Sequence, residues 1–282
     1  MRYEALENEI CAWAKEQEDV RGLVVIGSRA RNDHPANEWS DLDLILFVTD
    51  PQRFTADFSW LSVFGKTWLE VNKSTGIGDP EWLVIFEGGF KVDFLLAKVT
   101  GSLDDMLFGS KYLFVTRRGV RVLLNKLGDV DLSAFKSTND SDWHRPLESD
   151  FSAVINKFWL SAYRATTILK SGDLWRTRMI IASELHSFLL ILLKWQAKAV
   201  KGAKHDTWYD GRYIEEWVDP QFKAQLPLIF APYNKADTSR ALLQIVDLGS
   251  RLGEETAQIW HYHYPASNTR HLHDWIVTSL DI

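Results

Sequence analysis

The spacing of apolar positions changes once along the chain. Before residue 129 the apolar runs are short and bounded by Gly, Pro, Asn and Asp, the pattern of strands and turns. From Leu147 onward the apolar residues recur three and four apart, the pattern of amphipathic helices. In the first part, Glu4 to Lys15 reads as a helix with Ile10, Trp13 and Ala14 inward. Gly22–Ile26 and Leu42–Val48 read as strands. Asp50-Pro51 opens a helix to about Val63, with Pro at an early helical position. Thr67 to Val71 reads as a strand and Asn72 to Pro80 as a loop. Trp82–Phe86 and Lys91–Ala97 form a hairpin around E-G-G-F, Thr100–Phe108 a helix, and Tyr112–Thr116 and Val120–Leu124 two short strands.

The polar stretch Asp129 to Pro146 is the expected linker. Beyond it, helices are expected over Phe151–Leu169, stopped by Gly172, over Leu174–Ala199, briefly through Arg212–Trp217, over Thr238–His261, and over His271–Leu280. Leu242, Ile245, Val246 and Leu252 face inward on the fourth of these, together with Gly249, which demands a closely packed neighbour. The fold class is therefore α+β. A sheet-containing domain is expected over residues 1–135 and an all-α bundle over 147–282.

Candidate chemistry concentrates in Val24 to Val48. Strand alternation puts Leu42, Leu44, Leu46 and Val48 on one face, and Asp41, Asp43, Ile45 and Phe47 on the other. Two carboxylates so close repel unless a cation lies between them. Mg²⁺ favours one or two carboxylates plus substrate phosphates. The alternative is a pair of solvated aspartates at a strand's start. Upstream, Gly27 ends a strand and permits close backbone approach. Ser28 is placed to cap a helix starting at Arg29-Ala30-Arg31, and a phosphate at such a start meets free N–H groups, with Arg29 or Arg31 adding charge.

G-S-R-A-R followed by E-W-S-D-L-D-L-I-L-F-V-T-D resembles the signature of the polymerase-β-like nucleotidyltransferase superfamily. Within it, the chain is similar to the streptomycin-modifying aminoglycoside 6-adenylyltransferases. The likeness continues through W-L-V-I-F-E-G-G-F-K-V-D-F-L-L-A (82–97), N-K-F-W-L-S-A-Y (156–163), L-W-R-T-R (174–178) and L-L-K-W-Q (192–196). The resemblance implies a nucleotidyltransferase domain with a mixed sheet flanked by helices, followed by an acceptor-binding helical domain. It implies ATP as substrate and Mg²⁺ as cofactor, with phosphates on Gly27, Ser28 and Arg29. Asp41, Asp43 and Asp93 are then the metal ligands and catalytic carboxylates, and Asp93 the general base. Lys204 and Arg212 flank a loop that matches the family's basic triphosphate segment only loosely; solvated basic residues are the alternative. Glu184 lies where the family faces its acceptor, with a cationic ligand or an internal arginine as partner. Trp159 and Trp175 stack on a sugar or base, or pack in the core. The acceptor is implied to be a cationic aminoglycoside, with a lincosamide, a protein or a tRNA end as other acceptors, and a non-catalytic nucleotide-binding module as the reading from a different class.

Composition narrows this further. The 282 residues suffice for two modest domains, and 46% hydrophobic content is a normal globular share. A net charge of −6 disfavours nucleic acid and suits a cationic small molecule. The single Cys11 excludes an internal disulfide and a multi-cysteine metal site. The charged N-terminus is unlike a signal peptide, and no run looks long enough for a membrane span, so a cytoplasmic monomer or weak homodimer is expected. His261/His263 and His271/His273 lack a third ligand at zinc spacing and read as surface residues. The 13 Trp residues are expected mostly in cores or interfaces.

Overall fold

A computed structural model describes residues 2–129 and 143–280. The chain forms two compact units, 1–138 and 139–282. Most of the expected linker 129–146 lies outside the described residues.

In the first unit the helix α1 (Arg2–Glu16) precedes β1 (Val20–Ile26) and β2 (Leu42–Val48). Then come α2 (Pro51–Ala56), β3 (Thr67–Ser74), β4 (Pro80–Phe86), β5 (Phe90–Lys98), α3 (Leu103–Phe108), α4 (Leu113–Thr116) and β6 (Arg121–Asn125). Among the described residues six strands make one sheet in the order β3-β4-β5-β2-β1-β6. Only β2 and β5 pair in parallel; the other neighbours are antiparallel, so the sheet is mixed. Central strands buried on both faces read as near-continuous apolar runs, as β2 does from Leu44 to Val48. Leu42, Leu44, Leu46 and Val48 enter one core, closed by Ile10 and Ala14 of α1 and by Phe54, Leu61 and Phe64. Ile45 and Phe47 enter the other, with Leu95 and Ala97 of β5 and Leu103, Met106 and Leu107 of α3. Several aromatics sit in the first core: Trp13 stacks on Trp60 with ring centroids 5.2 Å apart.

Three local expectations are corrected. Ser28 caps no helix: Gly27–Arg29 is a single 3₁₀ turn without a side-chain cap. The helix from Asp50 stops at Ala56 and resumes as a 3₁₀ turn over Ser59–Phe64. There the Asp57 carboxylate accepts from the Ser59 N–H and hydroxyl, a local bond that competes with the helical ladder. The segment Leu113–Thr116 is helical, not a strand. The buried Thr116 hydroxyl donates to the Leu107 and Tyr112 carbonyls, so context overrides β propensity.

The second unit holds α5 (Glu148–Lys170), α6 (Leu174–Ile180), α7 (His186–Lys201), α8 (Ile214–Trp217), α9 (Pro220–Lys223), α10 (Lys235–Trp260) and α11 (Ala266–Leu280). A π turn over Ile181–Leu185 joins α6 to α7, so the expected long helix carries a bulge. By length and composition alone the combined segment Leu174–Lys201 is long and apolar enough to cross a membrane, contrary to the sequence expectation. Its Leu185, Leu189, Leu192 and Leu193 lie in the core of this unit. Gly249 finds its close neighbour in α5: a Cβ there would lie 2.2 Å from Phe158 Cζ.

Candidate active site

The parallel pairing of β2 with β5 builds the site. It sets Asp43 directly beside Asp93, with Leu42 beside Val92. Asp41 lies just before β2 and, by alternation, shares their face. One oxygen from each of Asp41, Asp43 and Asp93 lies within 4.8 Å of the other two. Lys91, two residues before Asp93 and on the same face, donates to Asp41 Oδ2 and Asp93 Oδ2, both at 2.7 Å. Asp93 Oδ1 is buried with no hydrogen-bond partner.

Electrostatics follow from that crowding. Burial, then the charges of Asp41 and Asp93, push the Asp43 carboxyl from 3.8 up to about 7. Asp93 is also raised, by burial first, against the hydrogen bond from Lys91, which lowers it. Burial opposes the charge of Lys91, but hydrogen bonds to Asp41 and Asp93 outweigh it and push its pKa upward. Three carboxylates against one ammonium leave an excess of negative charge, and the orphaned Asp93 oxygen lacks a donor. An all-oxygen set of this kind fits Mg²⁺, which takes hard oxygen ligands.

Gly27 meets this cluster. Its φ is +69°, a left-handed conformation, and a Cβ on it would stand 2.3 Å from Asp43 Oδ2. The close approach expected of Gly27 is thus made by a side chain of the protein. Arg29 is placed differently from its sequence reading. Its Nε donates to the Asp41 carbonyl at 2.9 Å, another guanidinium nitrogen donates to the Ser40 carbonyl at 2.7 Å, and the group lies 3.8 Å from the centre of the Tyr3 ring. Arg29 holds the backbone that presents Asp41, so much of its donor capacity is committed within the protein. Arg31 is buried and donates to the His34 carbonyl. Ser28 is half-buried, and its carbonyl accepts from Ala36. With no helix beginning at Ser28, the expected helix-terminus phosphate cradle is absent among the described residues.

A cavity of about 220 Å³ opens beside the carboxylates. Asp43, Glu81 and Asp93 line it together with Ile26, Ile77 and Phe114. The loop 75–79 that borders it is tied down through the buried Asp79, which accepts from Lys111 and from the Tyr112 hydroxyl, each at 2.7 Å. A larger cavity of about 520 Å³ lies in the helical unit, lined by Asp247, Arg251, Glu254, Arg270 and His273. Its charges are of both signs, and among the described residues the grouped metal-type ligands are Asp41, Asp43 and Asp93.

The remaining candidates belong to the helical unit. Glu184, in the π turn, accepts from the Ser161 hydroxyl at 2.6 Å and pairs with Arg164 at 2.9 Å. Its partner is an internal arginine, one of the two foreseen. Trp159 is 3% exposed and packs in the core, which removes it as a stacking surface. Trp175 is 68% exposed and meets Tyr233 edge to face, so it is not a core residue. Lys204 is exposed in the loop after Gly202, and Arg212 bonds the Tyr209 hydroxyl. His273 pairs with Asp247 and Asp274, a surface arrangement rather than a zinc site.

Sequence reasoning missed Lys91, Glu81 and the Asp79 clasp. Alternation along β5 did put Lys91 on the face of Asp93; its reach across to Asp41 required the parallel neighbour.

Comparison with known proteins adds an independent line. The sequence profile of the streptomycin adenylyltransferase family matches residues 1–278. The chain is 22% identical over 268 residues to an aminoglycoside 6-adenylyltransferase of Bacillus subtilis, covering 90% of this chain and 89% of that protein. It is 23% identical over 264 residues to one of Campylobacter jejuni, covering 90% and 87%. It is also similar to the crystal structure of an aminoglycoside 6-adenyltransferase from Bacillus subtilis, with 17% identity, 98% and 96% coverage and a TM-score of 0.44.

Proposed function

The chain belongs to the streptomycin adenylyltransferase family of nucleotidyltransferase enzymes, and from that premise we propose that it transfers AMP from ATP to a hydroxyl of an aminoglycoside, releasing pyrophosphate. The acceptor we infer is streptomycin, at its 6-hydroxyl, and a cell making the enzyme resists the drug. The observation that carries the reading is the side-by-side placement of Asp43 and Asp93 with Asp41 within 4.8 Å.

Asp41, Asp43 and Asp93 would hold Mg²⁺, which when bound neutralises phosphate charge and polarises the phosphoryl oxygens. Asp93 takes the proton of the acceptor hydroxyl. Arg29, through the Ser40 and Asp41 carbonyls, fixes the approach of Asp41 to the site. Asp43, Glu81 and Asp93 line the same cavity, with Glu81 paired to Lys73 and Asp93 to Lys91, and the acceptor is proposed to enter there. Asp79 with Lys111 and Tyr112 holds the cavity's wall in place. The oxygen attacks the α-phosphorus, the bond to the β,γ-diphosphate breaks, and the proton rests on Asp93. Gly27 and Ser28 are assigned to the nucleotide side, with Lys204, Arg212, Glu184 and Trp175 as secondary candidates for the substrates.

The test is pyrophosphate release from ATP and Mg²⁺ with a panel of aminoglycosides, a lincosamide and tRNA. Turnover with streptomycin is expected. ATP binding without turnover on any acceptor would mark a binding module instead. In Asp93→Asn, kcat is expected to fall by roughly 10²–10⁴-fold with ATP binding retained; unchanged turnover would remove Asp93 from the reaction.

A further inference from the structure

The ammonium of Lys91 stands between two of the three carboxylates, 2.7 Å from Asp41 Oδ2 and 2.7 Å from Asp93 Oδ2. The position is built into the sheet. Lys91 and Asp93 share a face of β5, and the parallel register brings Asp41 alongside. The backbone at Lys91 is anchored as well, since its N–H donates to the Tyr3 hydroxyl at 3.1 Å. The side chain is nonetheless 38% exposed, so its flexible four-carbon stem has room to move.

An ammonium and a small divalent cation compete for the same hard anionic oxygens, and like charges held against one carboxylate pair repel. Each cation therefore weakens the hold of the other on these carboxylates. A lysine that yields still carries its charge, and the nearest strong acceptors brought by the substrate are phosphate oxygens.

We propose that Lys91 is a positioning residue that competes with the divalent cation for Asp41 and Asp93, so that the site takes its metal tightly only together with a triphosphate, whose oxygens receive the displaced ammonium. The inference rests on the adenylyl-transfer reading above. It makes metal and nucleotide bind as a coupled pair, with Lys91 as the coupling element. In the absence of nucleotide, Lys91 offsets part of the negative charge and holds Asp41 and Asp93 together.

The test uses the full chain with Mn²⁺ in place of Mg²⁺, with and without a non-hydrolysable ATP analogue, read by calorimetry or by the free Mn²⁺ spin signal. Lys91→Met is expected to bind Mn²⁺ alone about tenfold more tightly than the unmodified protein, and the Mn²⁺–analogue complex about tenfold more weakly. A lysine that only supports the fold would weaken both. Unchanged or weaker binding of Mn²⁺ alone by a folded variant overturns the proposal. A second measurement needs no variant. Acylation of lysines in the unmodified protein without nucleotide, read by mass spectrometry at Mn²⁺ concentrations that calorimetry shows to fill the site, is expected to label Lys91 faster than in the metal-free protein, while the exposed Lys157 keeps its rate; a Lys91 rate unchanged at that occupancy overturns the proposal equally. If the unmodified protein takes no Mn²⁺ even with the analogue, the adenylyl-transfer reading itself fails, a result distinct from a change confined to Lys91.

Discussion

Replacing Gly27 with alanine tests the site through a single methyl group. Two costs are separable. The backbone at Gly27 has φ +69°, and an L-residue there costs roughly 1–2 kcal/mol. The methyl would also sit 2.3 Å from Asp43 Oδ2, so the carboxylate must retreat by about 1 Å to reach ordinary contact, and a displacement of that size costs on the order of 10²-fold in rate. Gly172→Ala supplies the control: φ is +86° there, and nothing lies within 4 Å of an added Cβ. Urea unfolding is expected to show Gly172→Ala destabilised by about 1–2 kcal/mol and Gly27→Ala by at least as much, since the clash with Asp43 adds to the backbone cost. Only Gly27→Ala is expected to lose pyrophosphate release and Mn²⁺ affinity. If Gly27→Ala retains both at full strength while folded, the closeness of Gly27 to Asp43 has no functional meaning and the metal assignment of Asp43 is contradicted.

Two further variants probe charge and packing. Asp43 rises from 3.8 to about 7 on folding, so the folded protein holds a proton that the unfolded chain releases from about pH 4 upward. Its stabilising effect is complete below pH 4 and lost as pH rises through 7. In chelator, Asp43→Asn is therefore expected to exceed the unmodified protein in stability at pH 8, by at most ~4 kcal/mol from the size of that rise, and to match it near pH 4. A variant less stable at pH 8 would contradict the crowding of carboxylates. In the helical unit, Gly249→Ala forces a methyl to 2.2 Å from Phe158 Cζ; overpacking of this kind is expected to cost about 1–3 kcal/mol in urea unfolding, and a neutral or stabilising effect from the better helix former would refute the tight α5–α10 approach.

The α+β class was legible because the apolar period changes near residue 147, and each period admits one kind of element. The side of its strand on which each of Asp41, Asp43 and Asp93 lies was also legible, since they alternate with apolar positions that must face inward. The smaller misreadings share one cause. The strand expected at Tyr112–Thr116 and the helix expected at Ser28 rest on propensity over four or five residues, a signal weak enough for one buried hydroxyl or one unpaired edge to reverse. Trp159 and Trp175 carry the same ring and the same helical setting in sequence. Only packing separates them, one buried in the bundle and the other exposed against Tyr233.

Local sequence determines which way a side chain points from its own strand, because alternation is a property of the backbone. It does not determine which strand lies alongside. That Asp43 has Asp93 for a neighbour, that Lys91 reaches Asp41, and that Gly27 must be bare against Asp43 all follow from the parallel pairing of β2 with β5. That pairing joins residues about fifty positions apart in sequence and is settled by burying both faces of the sheet at once.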